Sequence, residues 1–358
     1  MIIDFHQHYL PHRPNYPGET RQSWLYDGSR VQGYRDVPAL LADMDAAGVD
    51  QVVWQGEYFL HAENCLERNR RVSNARRMNP TRLHAYASIQ PAHPDAIDHI
   101  KQSIQAGFVG VGELNPAAQG FSLRDPAVIR VVSFCAQSNI PMLFHVNEPV
   151  GPAYMGKVMI PLHMFYECAA RFPELTIILA HWGGGLWWYE QIPTVKQVLR
   201  NVWYDTASAF FTYPDTTVMA QLAGLVIPHK VLYGSDYPLR PEKYPDDWLC
   251  RWTNSMIQSS PALLRDAWMG GSAMQVLNRT AEPPTSVQPL LPALNLATPL
   301  VVVAEQWPDQ LATLANWNVR YSESTPWWQT VAHTLSESGH GPEVQARVLK
   351  AITEGLPH

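Results

Sequence analysis

Ile2-Ile3-Asp4-Phe5-His6-Gln7-His8 decides how the rest of the chain is read. It starts as a short apolar run with β-branched residues, which favours a strand. It ends in two imidazoles two positions apart, which a strand projects to the same side. The pattern of an apolar run closed by a polar residue recurs along the chain. Residues 2–6, 51–55, 83–90, 108–114, 141–146, 176–181, 202–207 and 230–236 are strand candidates. Helical spacing appears at 37–47, 95–106, 126–137 and 162–172, and again at 261–277 after the last strand. Pro141-Met-Leu-Phe144 and Thr176-Ile-Ile-Leu-Ala180 are apolar without alternation, as expected of parallel strands covered on both faces. Eight strands alternating with helices and closing near residue 280 predict an α/β fold, a (β/α)8 TIM barrel.

A barrel of this kind takes about 250 residues, so a chain of 358 residues has room for a smaller appendage. The proline-rich stretch 281–297 reads as a semi-rigid linker. Helical patterns at 300–314, 327–336 and 342–356 then predict a small C-terminal helical domain over 298–358. Apolar residues make up 46% and charged residues 16%, the balance of a packed globular protein. The net charge is -6 and no Lys/Arg cluster could neutralise a run of phosphates, so nucleic acid is excluded as a partner. No segment approaches the ~20 apolar residues of a membrane span, and no secretory signal pattern opens the chain. A cytoplasmic location is the expectation, with a small-molecule substrate as partner and homo-oligomerisation left open. Cys65, Cys135, Cys168 and Cys250 are widely spaced and read as reduced thiols.

The chemistry lies at the strand ends. Besides His6 and His8, Glu113 closes the fourth strand, His145 the fifth, His181 the sixth and Asp236 the eighth. In a (β/α)8 barrel the C-terminal strand ends form one ring, so these residues converge despite their distance in sequence. Imidazoles and carboxylates in such a place are costly unless paired or bound to metal. Neutral imidazole with carboxylate suits a divalent metal, with Zn as first expectation and Mn or Fe as alternatives, in one or two ions.

Asp4-Phe-His-Gln-His8, Phe144-His-Val-Asn-Glu-Pro149, Ala180-His-Trp-Gly-Gly184 and Gly234-Ser-Asp-Tyr-Pro238 together resemble the amidohydrolase superfamily, in its amidohydrolase-related branch, over roughly residues 1–280. The resemblance implies that His6, His8 and Asp236 bind metal and that His145 is a further ligand. His181 is then either a ligand to a second ion or the acid/base that polarises substrate. No lysine ends the fourth strand to bridge two metals. Glu113 stands there instead, similar to the TatD-like hydrolases, which favours a dinuclear hydrolytic site. The branch resembling aminocarboxymuconate-semialdehyde decarboxylase implies the alternative, one ion and a free His181.

The expected function is hydrolysis of a C–N or ester-type bond of a small molecule, with non-oxidative decarboxylation of an aromatic or unsaturated acid as the alternative. Asp236 is expected to act as general base and His181, beside Gly183-Gly184-Gly185, to meet the developing oxyanion or the second ion. Trp54, Lys157, Trp182 and Arg240 are the expected substrate-binding residues, with Tyr58, Asn115, Glu148 and Trp187 nearby in sequence.

Overall fold

The computed structural model describes residues 1–11, 35–151, 157–213, 215–239 and 246–278, the backbone of 31–32 and 240–241, and, further on, 300, 303, 308–320 and 329–353. Eight strands alternate with helices: β1 (Ile3–Gln7), α1 (Val37–Ala47), β2 (Gln51–Trp54), α2 (Ala62–Arg76), β3 (Leu83–Ala85), α3 (Ala96–Gln105), β4 (Val111–Leu114), α4 (Pro126–Gln137), β5 (Met142–Phe144), α5 (His163–Arg171), β6 (Ile177–Leu179), α6 (Pro193–Val198), β7 (Val202–Asp205), α7 (Thr216–Val226), β8 (Val231–Leu232) and α8 (Trp248–Ser259). Each pairs in parallel with the next through β1-β2-β3 and through β4 to β8. Bridges close the two remaining seams. Ala87 pairs with Val111 between β3 and β4, and Gln7 pairs with Tyr237 between β1 and the end of β8. The Phe5 N–H donates to the Tyr233 carbonyl at 2.7 Å and the Asp236 N–H to the His6 carbonyl at 2.8 Å, so the ring is complete.

Two apolar layers follow from the period of two. Phe5, Val53, Tyr86, Leu143, Ile178, Trp203 and Leu232 fill the barrel interior. Val52, Trp54, Leu83, Val111, Met142, Ile177 and Tyr204 face the helices. In β1 and in β4 the register is broken by one extra residue. Asp4 to Gln7 spans the same length of partner as Val52 to Trp54, and Val111 to Leu114 matches Met142 to Phe144. A bulge of this kind re-aims the side chains beyond it. Gly112 makes the second one sterically possible, since a Cβ there would stand 2.4 Å from the Leu143 carbonyl oxygen.

Helix α2 was not announced by apolar spacing, because it carries little apolar surface. Beside the small apolar residues Ala62, Cys65, Val72 and Ala75 it buries Asn64, Arg68, Asn69 and Ser73. Arg68 donates to Glu57 Oε2 at 2.5 Å, to the Tyr86 carbonyl at 2.9 Å and to the Gln55 carbonyl, tying the ends of β2 and β3 together. The helix expected over 261–277 starts after a turn at 262–264 and runs from 265 to 277, with a wide turn at Ala267–Gly271 leading into Ser272–Leu277. Gly270 lies so close to the start of β1 that a Cβ would stand 2.4 Å from the Met1 carbonyl oxygen, and this segment packs against β1 and β8. All four cysteines are free.

The chain divides into two compact units, Met1–Pro289 and Leu290–His358. The expected linker 281–297 lies outside the described residues. In the second unit, helices Pro308–Ala315, Val331–Glu337 and Pro342–Thr353 bury Leu314, Val331, Leu335, Val348 and Ile352 in a core of their own. Among the described residues no helix is long and apolar enough to cross a membrane.

Replacing Arg68 with Met would strand the buried Glu57 carboxylate and two carbonyls. We expect a loss of about 3–5 kcal/mol in urea unfolding, and a change below about 1 kcal/mol would mean that the buried pair does not secure the β2 and β3 ends.

Candidate metal centre

The strand ends bring His6, His8, Glu113, His145, His181 and Asp236 into one cluster at the barrel mouth. Past the bulge in β1, His6 and His8 turn inward together, their ring centroids 5.2 Å apart. Past the bulge in β4, Glu113 turns the same way. Its two oxygens face different imidazoles. Oε2 lies 3.7 Å from His6 Nε2 and 3.9 Å from His8 Nε2, while Oε1 lies 2.8 Å from His145 Nδ1 and 3.5 Å from His181 Nε2. The donor atoms of His6, His8 and Glu113 all lie within 4.8 Å of one another, as do those of Glu113, His145 and His181. Asp236 Oδ1 completes the first group, 3.1 Å from His8 Nε2 and 3.7 Å from His6 Nε2.

Surrounding bonds fix which ring nitrogen faces the centre. His6 Nδ1 pairs with Asp205 Oδ2 at 2.8 Å, leaving Nε2 inward. His181 Nδ1 bonds the Ala207 carbonyl at 2.8 Å, again leaving Nε2 inward. His145 is reversed: Nε2 bonds Asn147 Oδ1 at 3.0 Å and Nδ1 faces Glu113. Asp205 also accepts from the backbone N–H of His181 at 2.9 Å and of Ala207 at 3.0 Å, so one carboxylate holds His6 and the His181 turn at once. Asp236 is held by Ser208, whose hydroxyl donates to Oδ2. His181, Ser208 and Asp236 all have left-handed backbone, with φ of 57°, 51° and 64°, a conformation that collects at functional sites.

Asp205 and Ser208 escape a sequence reading centred on strand-end ligands. The signal was present for Asp205, the last residue of β7 in Val202-Trp-Tyr-Asp205, an acid closing an apolar run. Asp4, which opens the His-x-His motif, is not in the cluster. It accepts from Gln7 Nε2 and from the Ser235 hydroxyl and N–H, latching β1 to β8. Burial raises its carboxyl to about 6 against those bonds.

The expected substrate-binding residues fare differently. Trp54 is fully buried on the helix-facing side of β2, stacked on Tyr9 at 4.7 Å, because its neighbour Val53 takes the interior position. Trp182 is also buried, packed against Trp187 and edge-on to Trp268. Both leave the substrate list for the core. Lys157 pairs with Glu148 at 3.1 Å, and Asn147 accepts from the Val158 N–H at 2.9 Å as well as from His145. The Arg240 side chain lies outside the described residues; its backbone pairs antiparallel with Gln32.

A divalent cation fits this donor set. His6 Nε2 and Asp236 Oδ1 are both buried without a hydrogen-bond partner, although they face each other and Glu113. The same need shows in the titration of the groups without metal. Burial pushes the His6 imidazole down, but the Asp205 carboxylate lifts it to about 10, with Glu113 and Asp236 adding to the rise. Burial likewise opposes the charged form of His181, and Glu113 lifts it to about 9. Glu113 and Asp236 are raised by burial yet end well below the usual carboxylate range, Glu113 through His145 and Asp236 through His8 and His6.

Residues 3–279 match the family model described as amidohydrolase. The chain belongs to the amidohydrolase family. Comparison with curated proteins by sequence finds no match. Solved structures share the fold. The 2,6-dihydroxybenzoate decarboxylase from Rhizobium is 17% identical and superposes with a TM-score of 0.57, over 77% of this chain and 98% of its own. A dihydroxybenzoic acid decarboxylase from a Polaromonas species, solved with bound manganese and the inhibitor 2-nitroresorcinol, gives 16% and 0.55 over 77% and 96%. A probable 2-pyrone-4,6-dicarboxylic acid hydrolase from Acinetobacter baumannii, solved with citric acid, gives 16% and 0.54 over 77% and 99%.

The shifts of His6 and His181 carry a sign. In chelated protein both folded values lie above the ordinary 6.5, so their stabilising contribution is complete below 6.5 and lost as pH rises through about 9 to about 10. The melting temperature of chelated protein should fall across that window in scanning calorimetry. A flat profile would mean that these imidazoles do not neutralise the buried carboxylates.

Proposed function

We propose that this amidohydrolase family member is a metal-dependent hydrolase of a small molecule, cleaving a C–N or ester-type bond at a dinuclear centre. The observation that carries the reading is Glu113, with one carboxylate oxygen toward the His6/His8 pair and the other toward the His145/His181 pair. His6, His8 and Asp236 would hold one ion, His145 and His181 the other, with Glu113 between them. Nitrogen and oxygen donors make zinc the first choice, and manganese or iron suit the carboxylate-rich side. An ion bound there would lower the pKa of water from about 15.7 toward about 7 and polarise a substrate oxygen.

The chain's own groups do the rest. Asp236 is held ionised, with Oδ1 toward the metal group and Oδ2 beside the Ser208 hydroxyl, and its carboxylate would take a proton during attack and return it to the leaving group. Such a base contributes roughly 10²–10⁴-fold. His181 keeps its Nδ1 proton on the Ala207 carbonyl, so Nε2 stays directed at Glu113.

A second reading keeps the fold and makes the protein a non-oxidative decarboxylase of an aromatic or unsaturated acid. It is favoured by the decarboxylases among the fold neighbours. It requires one ion, on His6, His8, His145 and Asp236, with His181 free for proton transfer.

Elemental analysis of protein purified without chelator separates the readings. Two tightly held ions per chain, falling to one in Glu113→Gln, are expected for the hydrolase. One ion unaffected by that change, with turnover of aromatic acids, would replace it by the decarboxylase. Asp236→Asn should lower turnover by roughly 10²–10⁴-fold without loss of fold, and wild-type rates would remove Asp236 from the chemistry.

A further inference from the structure

Asn115 follows Glu113 by two positions in extended backbone, so both side chains leave the chain on one side. The Asn115 amide is gripped from behind. Its Oδ1 accepts from the Ala118 N–H at 3.1 Å, and the backbone N–H of Asn115 donates to Gln119 Oε1 at 3.0 Å. The first bond settles which end of the amide is oxygen, so the remaining end is the NH2 donor. That Nδ2 is buried and has no hydrogen-bond partner.

Tyr58 reaches the same place from the loop after β2. Its ring lies 5.5 Å from that of His145, inclined at 52°. Its hydroxyl is also buried, the Asn115 side chain is the polar group next to it, and no hydrogen bond of good geometry satisfies it. Interiors leave few donors unmet, and unmet ones point to a missing partner. The oxygens of Glu113 are already turned to four imidazoles and do not meet these donors; an acceptor on a bound ligand would.

We propose that Tyr58 Oη and Asn115 Nδ2 form a two-donor seat for one oxygen of the substrate's carbonyl or carboxylate group, beside Glu113. This rests on the reading of the cluster as a metal centre. The seat would fix the oxygen's position before reaction and favour substrates whose acceptor oxygen lies next to the bond that breaks.

The test uses the zinc-loaded full chain, with acetate and acetamide titrated by ligand-observed NMR and zinc measured in the same samples. Tyr58→Phe removes only the hydroxyl, and Asn115→Ser keeps an oxygen for the Ala118 N–H while deleting the NH2. Each should weaken binding about tenfold with zinc content and melting temperature unchanged. Weakening confined to acetate assigns the seat to a carboxylate, and weakening of both probes assigns it to carbonyl oxygens generally. Equal affinities in wild type and both variants, or no binding of either probe to the wild type, overturns the proposal. Failure of the wild type to hold zinc refutes the metal centre instead, and the probe titrations then still decide the seat.

Discussion

Three carboxylates, Glu113, Asp205 and Asp236, and four imidazoles, His6, His8, His145 and His181, share one small volume at the barrel mouth, and neither set can be dehydrated without the other. An isolated ionised carboxylate taken out of water carries an effective penalty of several kcal/mol. The penalty is offset here only because each oxygen meets a proton or a place for a cation. Asp205 is satisfied by three N–H groups. Glu113 and Asp236 instead face ring nitrogens that carry no proton in a metal complex. Their geometry is therefore that of ligands, while Asp205 has the geometry of a support.

The barrel meets this constraint through irregularity in otherwise regular strands. A strand with strict alternation would send His6 to the side opposite Phe5, which fills the interior. One extra residue in β1 allows Phe5 to fill the interior and His6 and His8 to line the mouth above it. The extra residue in β4 does the same for Glu113. Ordinary hydrophobic packing below and buried charge above thus come from the same two strands.

Much of this was legible in the sequence. Apolar runs gave eight strands in order, five of them closed by His, Glu or Asp, and the closed ring of eight places those ends together. Other features were not. Trp54 and Trp182 resembled ligand-contacting aromatics because they sit at strand ends, yet both are packed in the core. Helix α2 was hidden because its buried face mixes Asn64, Arg68, Asn69 and Ser73 with a few small apolar residues. The stretch 261–277 has helical spacing throughout, yet its first residues form a turn and Ala267–Gly271 widens the helix.

By itself the sequence determined the repeating units and the kinds of groups placed at their ends, since both follow from local period and residue chemistry. Only the tertiary structure decided which way those groups point. Direction depends on the register against a neighbouring strand, and that register is set by partners up to two hundred residues away, as in the bond of Asp205 to His6. The same distance hides the tautomer of each imidazole, because the atom that fixes it belongs to another strand.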